Sequence, residues 1–80
     1  MFNFNKLRGR IRELYGSQDN FAKALKISAR SLSLKLNNYV SFTSEEIYKS
    51  LKLLNISDEE VMEYFFNKKV QKFEQEQEVV

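Results

Sequence analysis

The sequence predicts an all-α fold of five short helices, on three observations. Pro is absent and Gly occurs only twice in 80 residues, among many good helix formers. Apolar residues recur at three- and four-residue spacing, the period of a helix with one buried face. Hydroxyl residues stand just ahead of four of these stretches, where a helix start needs a side-chain acceptor.

The first helix spans Asn5 to Tyr15, with Leu7, Ile11 and Leu14 as its inward stripe, Phe4 packing back on it and Gly16 as the stop. Gly9 lies inside it, at a cost of about 1 kcal/mol relative to Ala. Ser17 caps a second helix, Gln18 to Leu25, which turns Phe21, Ala22 and Leu25 inward. Ser28 opens a third from Ala29 to Leu36, and Asn37-Asn38 ends it because Asn tolerates the left-handed conformation. Thr43-Ser-Glu-Glu46 and Ser57-Asp-Glu-Glu60 are capping boxes, with Phe42/Ile47 and Ile56/Val61 as hydrophobic staples. They open a fourth helix over 44–54, apolar at Ile47, Leu51 and Leu54, and a fifth over 58–66, apolar at Val61, Met62, Phe65 and Phe66.

Residues 1–66 therefore form one domain, and 67–80 a C-terminal tail. Met62, Phe66, Val70 and Phe73 would continue a stripe if the fifth helix ran on. The reading preferred here is an extended arm in which Val70 and Phe73 pair with a neighbour, with residues 74–80 frayed.

Composition excludes most chemistry. The chain has neither Cys nor His, which removes disulfides, the thiol nucleophile, the commonest general base and nearly all transition-metal sites. No EF-hand spacing occurs, so no metal is expected. The pairs Glu45-Glu46 and Glu59-Glu60 are accounted for by capping and by helix-dipole effects. No catalytic residue, cofactor or small-molecule substrate is expected. The longest apolar run is Tyr64-Phe65-Phe66, which argues against a signal peptide or spanning helix and for a cytoplasmic protein without membrane contact. A domain this small buries only about 60% of its unfolded surface, so a second copy is the plausible extra source of stability.

Charge is unevenly placed. Residues 1–37 hold eight Lys or Arg against Glu13 and Asp19, a balance of +6, while 38–80 hold five basic and nine acidic residues, a balance of −4. Such a split fits one face meeting a polyanion; an ordinary solvated surface is the alternative.

The second and third helices, joined by a three-residue turn with Ala22 at their crossing, have the form of a helix-turn-helix unit. The run from Ser17 to Leu32, with Phe21, Leu25, Ile27 and Leu32 as anchors and Lys35-Leu-Asn-Asn38 after it, resembles the lambda-repressor-like helix-turn-helix family. The likeness covers roughly residues 4–66 and is nearest to small Cro-like phage regulators. Two positions depart from the family pattern: Lys26 stands where Gly is usual in the turn, and Lys35 where an apolar residue is usual.

The resemblance implies a homodimeric repressor that binds a palindromic double-stranded DNA operator, with the third helix in the major groove. By position, Ala29, Arg30, Ser33 and Leu34 would approach base edges. Arg30 would read guanine or touch phosphate, and Leu34 would meet a thymine methyl unless it belongs to the core. Gln18, Ser28, Lys35, Asn37, Asn38, Tyr39 and Ser41 would lie along the DNA backbone. The alternative is a protein-interaction module, an antirepressor or modulator that grips a partner repressor instead of DNA.

Overall fold

A computed structural model of the protein describes residues 1–68. It contains five helices: α1 (Asn5–Tyr15), α2 (Gln18–Leu25), α3 (Ala29–Leu36), α4 (Ser44–Leu53) and α5 (Val61–Phe65). A single 3₁₀ turn, Asp58–Glu60, leads into α5. α2 is the hub, packing against α1, α3 and α4, while α5 packs on α1. The all-α, five-helix expectation holds.

The helix starts are built as their sequences require. The hydroxyls of Ser17, Ser28 and Thr43 accept from the backbone N–H groups of Asn20, Ser31 and Glu46 at 3.1, 3.0 and 3.1 Å. Glu46 reaches back to the Thr43 N–H at 2.9 Å and completes that capping box. At Ser57 the arrangement differs: the Glu60 carboxylate accepts from both the Ser57 N–H and its hydroxyl, each at 3.1 Å.

Three helix ends share one geometry. Lys26, Asn38 and Asn55 adopt φ of 65°, 68° and 54°. The next residue's N–H reaches back five residues: Ile27 to Ala22, Tyr39 to Leu34 and Ile56 to Leu51. This is the Schellman closure, in which the residue after the left-handed position usually packs against the last helical turn. Ile27 is half-buried and Ile56 buried, as the motif favours. Tyr39 is 79% exposed.

The core is continuous from Phe4, Leu7 and Ile11 through Phe21, Ala22 and Leu25 to Leu32, Leu36 and Leu54. In α1 the inward stripe ends differently from the expectation. Leu14 is exposed, and Tyr15 takes its place, stacking edge-on against Phe21 and donating its hydroxyl to the Leu53 carbonyl at 3.0 Å. In the last helix Tyr64 and Phe65 are buried while Met62 and Phe66 face outward. The 3₁₀ turn advances the helix phase by roughly 60° over three residues, which moves the inward face off Met62 and Phe66. Helix α5 stops at Phe65. Lys68 then forms an antiparallel bridge with Phe2, and Asn3 donates to the Asn67 carbonyl. A continuing helix through 66–68 is thereby excluded; the expectations for Val70, Phe73 and residues 74–80 lie outside the described residues. Among the described residues no helix is long and apolar enough to cross a membrane.

Two substitutions test these local assignments by thermal denaturation. Lys26→Gly relieves the left-handed conformation and should raise stability by about 1 kcal/mol. The Ser50 hydroxyl is fully buried in α4 without a hydrogen-bond partner. Ser50→Ala removes that desolvated group and improves helix propensity, so it should stabilise by about 1 kcal/mol. A destabilised Ser50→Ala protein would show that the hydroxyl has a partner in solution.

Candidate functional site

The outer face of α3 is formed by Ala29, Arg30 and Ser33, all exposed, with Leu34 half-buried at its edge. Helix α3 is positioned by Leu32 and Leu36 beneath it, and its orientation is fixed at its C-terminal end. There Arg8 of α1 donates through Nη2 to the Leu36 carbonyl at 3.1 Å and to Asn37 Oδ1 at 3.0 Å. A guanidinium at the negative end of a helix satisfies otherwise open carbonyls. Past the helix, Tyr39 and Val40 fold back through their N–H groups onto the Leu34 carbonyl. Leu34, Tyr39 and Val40 thus make one ridge, with Arg30 a turn away along α3.

Several residues expected along DNA phosphates are committed elsewhere. Lys35 is 7% exposed. Its Nζ donates to the Ser41 carbonyl at 3.2 Å and pairs with Glu46 Oε1 at 3.1 Å, joining α3 to the start of α4. That corrects its assignment as a surface phosphate contact: a buried ammonium requires an internal counter-charge. Asn38 clamps the N-terminal segment, accepting from the Phe2 N–H at 2.8 Å and donating to the Phe2 carbonyl at 2.9 Å. Asn37 donates to the Ser33 carbonyl at 2.8 Å, so its amide serves as a helix terminator. The Ser28 hydroxyl caps α3, and the Ser41 carbonyl holds Lys35. Gln18 is half-buried at the start of α2. Ser28, Asn37, Tyr39 and Ser41 are exposed, Tyr39 to 79%.

The charge split is partly absorbed in the same way, although Arg12, Lys23, Lys26 and Arg30 stay exposed. Of the eight basic residues in 1–37, Lys6 pairs with Glu63, Arg8 ends α3, Arg10 donates to the Leu54 and Asn55 carbonyls at the end of α4, and Lys35 is buried. Four basic side chains therefore serve intramolecular contacts, and Arg30 is the only charged residue on the outer face of α3.

Sequence reasoning missed a second feature. A cleft of about 430 Å³ opens between the N-terminal segment, the loop after α3 and the end of α5, lined by Phe2, Val40, Phe42 and Phe66 among others. Its rings meet edge-on: Phe2 with Phe66 at 5.7 Å, Phe4 with Phe42 at 5.5 Å and Phe42 with Phe65 at 5.3 Å. The abundance of Phe, seven in 80 residues, was the available signal. Among the described residues no cluster of carboxylates is placed to hold a metal ion.

The family model that matches this chain, over residues 1–68, carries the description "Protein of unknown function (DUF739)", and the chain belongs to that family. Among curated proteins none matches. Among solved structures the chain is similar to the modulator of repression (MOR) of the temperate bacteriophage TP901-1 from Lactococcus lactis. The two are 40% identical with a TM-score of 0.74, over 88% of this chain and 95% of the other. That similarity overturns the expectation of a Cro-like, DNA-reading repressor: the relative with this fold is a modulator of repression. It favours the alternative reading made from the sequence.

The buried pair generates a pH prediction. Burial alone would raise the Glu46 pKa, but the Thr43 N–H and the Lys35 ammonium outweigh it and hold the carboxyl below its ordinary value of 4.5. A carboxylate with a depressed folded-state pKa stabilises fully above its unfolded value, and that contribution is lost as pH falls through the folded one. The melting temperature should therefore drop below about pH 4.5. Glu46→Gln should lower stability at neutral pH by about 1–3 kcal/mol and flatten the acid limb. An unchanged acid limb would remove Glu46 from that role.

Proposed function

We propose that this protein is a modulator of repression that acts by binding a phage repressor protein, with the α3 face and the ridge after it as the contact surface. The observation that carries the reading is the 40% identity, over nearly the whole of both chains, to a phage modulator of repression. The surface supports it. Tyr39 stands at a position that a Schellman closure ordinarily packs down, and it is 79% exposed beside the half-buried Leu34. Tyr and Arg are the residues most enriched among those that dominate binding energy at protein interfaces. The small residues Ala29 and Ser33 let a partner helix approach closely, and Arg30 would pair with an acidic group on it. A single outward charge on α3 gives little of the counterion release on which DNA affinity depends.

The experiment is titration of the full chain against a purified phage repressor, by calorimetry, in the absence of DNA. A saturable complex is expected. Arg30→Ala and Tyr39→Ala should each weaken it about 10- to 30-fold, in the range of interface hot spots, without altering the melting temperature. A chain that ignores the repressor at tens of micromolar concentration, or a complex indifferent to both substitutions, would reject the reading or its surface respectively.

A further inference from the structure

A hollow of about 240 Å³ lies between the C-terminal end of α2 and α4, lined by Ala24, Leu25 and Leu53 and by Lys26, Lys49 and Lys52. Leu25 is buried and Ala24 and Leu53 are half-buried, whereas all three lysines are exposed. The hollow therefore has an apolar floor and a cationic rim. Its cations are only loosely engaged within the molecule. Lys49 stands 3.9 Å from Glu45, an exposed pair one helical turn apart that contributes little. Lys52 lies over the Tyr48 ring at 4.5 Å, a contact that leaves its charge without a counter-ion. Lys26 holds a φ of 65°, which Gly would adopt at lower cost. What Lys adds at that position is an ammonium on the rim.

Such a rim and floor together fit an occupant that brings an apolar side chain with carboxylates beside it. A phosphate backbone would supply the charge without the apolar group. The chain carries the matching arrangement on its own surface. Met62 is 62% exposed. Asp58 and Glu59, also exposed, precede it by four and three residues, which places them on its side of the turn into α5. Glu63 is drawn aside by Lys6. The two patches are near neighbours: Leu53 lines the hollow, and Asp58 follows within a span of at most about 18 Å. Adjacent, complementary patches on one molecule are what a closed two-fold pair requires, because each contact is then made twice.

We propose that a second copy of this chain docks here reciprocally. Met62 of each copy enters the hollow of the other, and Asp58 and Glu59 face Lys26, Lys49 and Lys52. Neither patch includes Arg30, Leu34 or Tyr39, so the inference stands independently of the repressor reading.

Sedimentation of the full chain, with a pair of charge-reversed variants, tests it. The unaltered protein should show a reversible monomer–dimer equilibrium at high micromolar concentration that weakens as salt rises. One variant carries Lys49→Glu with Lys52→Glu, the other Asp58→Lys with Glu59→Lys. Each sets like charges against each other in both contacts, so each alone should associate more than about tenfold more weakly. An equimolar mixture of the two restores opposite charges in both contacts and should recover the dimer. Met62→Asp should weaken it without recovery by either variant. A chain that stays monomeric at millimolar concentration would overturn the proposal, as would a mixture that fails to associate or a dimer indifferent to all these changes. If the unaltered chain is monomeric and the lysine variant loses affinity for a purified phage repressor, the hollow belongs to an acidic segment of that protein. If that variant instead loses binding to duplex DNA, the rim meets phosphate. Either result would overturn the second copy as occupant.

Discussion

Burying the Lys35 ammonium obliges the fold to bring acceptors to it, and the junction between α3 and α4 is arranged around that requirement. A charge in a poorly solvated position is tolerable only with a counter-charge and filled hydrogen-bond positions. Glu46 supplies the charge and the Ser41 carbonyl a second acceptor. Glu46 is simultaneously the reciprocal member of the Thr43 capping box. One carboxylate thus fixes where α4 begins, how the loop over 37–43 is folded and which way the C-terminal turn of α3 points. Removing either partner would leave the other stranded, so the junction has little freedom to adjust.

The same economy governs the other cations of the first half. Arg8 and Arg10 emerge from α1 in opposite directions and each closes the C-terminal end of a different helix, α3 and α4. Carbonyls left open at a helix end carry partial negative charge, and a guanidinium offers several donors in a fixed plane. In a domain without cysteine, and with a small core, such cross-links between elements supplement the apolar packing. Their effect on the surface is as important as their effect on stability: each cation committed to a carbonyl or carboxylate contributes less to the outward field.

That explains why some of the molecule was legible in its sequence and some was not. Local chemistry announces itself locally. The hydroxyls at Ser17, Ser28 and Thr43, the helix end at Asn37-Asn38 and the inward set Phe21, Ala22 and Leu25 follow from rules that span four or five residues, and the structure matches them. Leu14 was misread because a stripe of spacing three and four permits either Leu14 or Tyr15 at its last turn. The choice was made by Phe21 and the Leu53 carbonyl, which α1 does not contain. Lys35 and Asn38 were read as surface groups because nothing within their own helix shows that Glu46 or the Phe2 backbone will arrive beside them. The aromatic cleft draws on the N-terminal segment, a loop and two helices at once, so no periodicity could reveal it. Adding charges by position along the chain failed for a related reason: a formal balance does not know which cations face inward.

A helix-turn-helix arrangement is a way of presenting the outer face of a short helix, and physics does not dictate what that face must meet. Reading DNA calls for a surface that neutralises several phosphates, with donors aimed at base edges. Gripping a protein calls for a compact apolar ridge with a few anchors that desolvate well. Here α3 offers Ala29, Ser33 and a lone Arg30, and the adjoining turn lifts Tyr39 away from the position where helix closure would bury it. Two neighbouring closures of the same geometry do bury their equivalents, Ile56 fully and Ile27 in part, so the backbone motif does not force Tyr39 outward. Its exposure beside Leu34 and Val40 concentrates, at one end of α3, the kind of side chain that carries binding energy between proteins, while Arg8, Arg10 and Lys35 are engaged in holding the helices together.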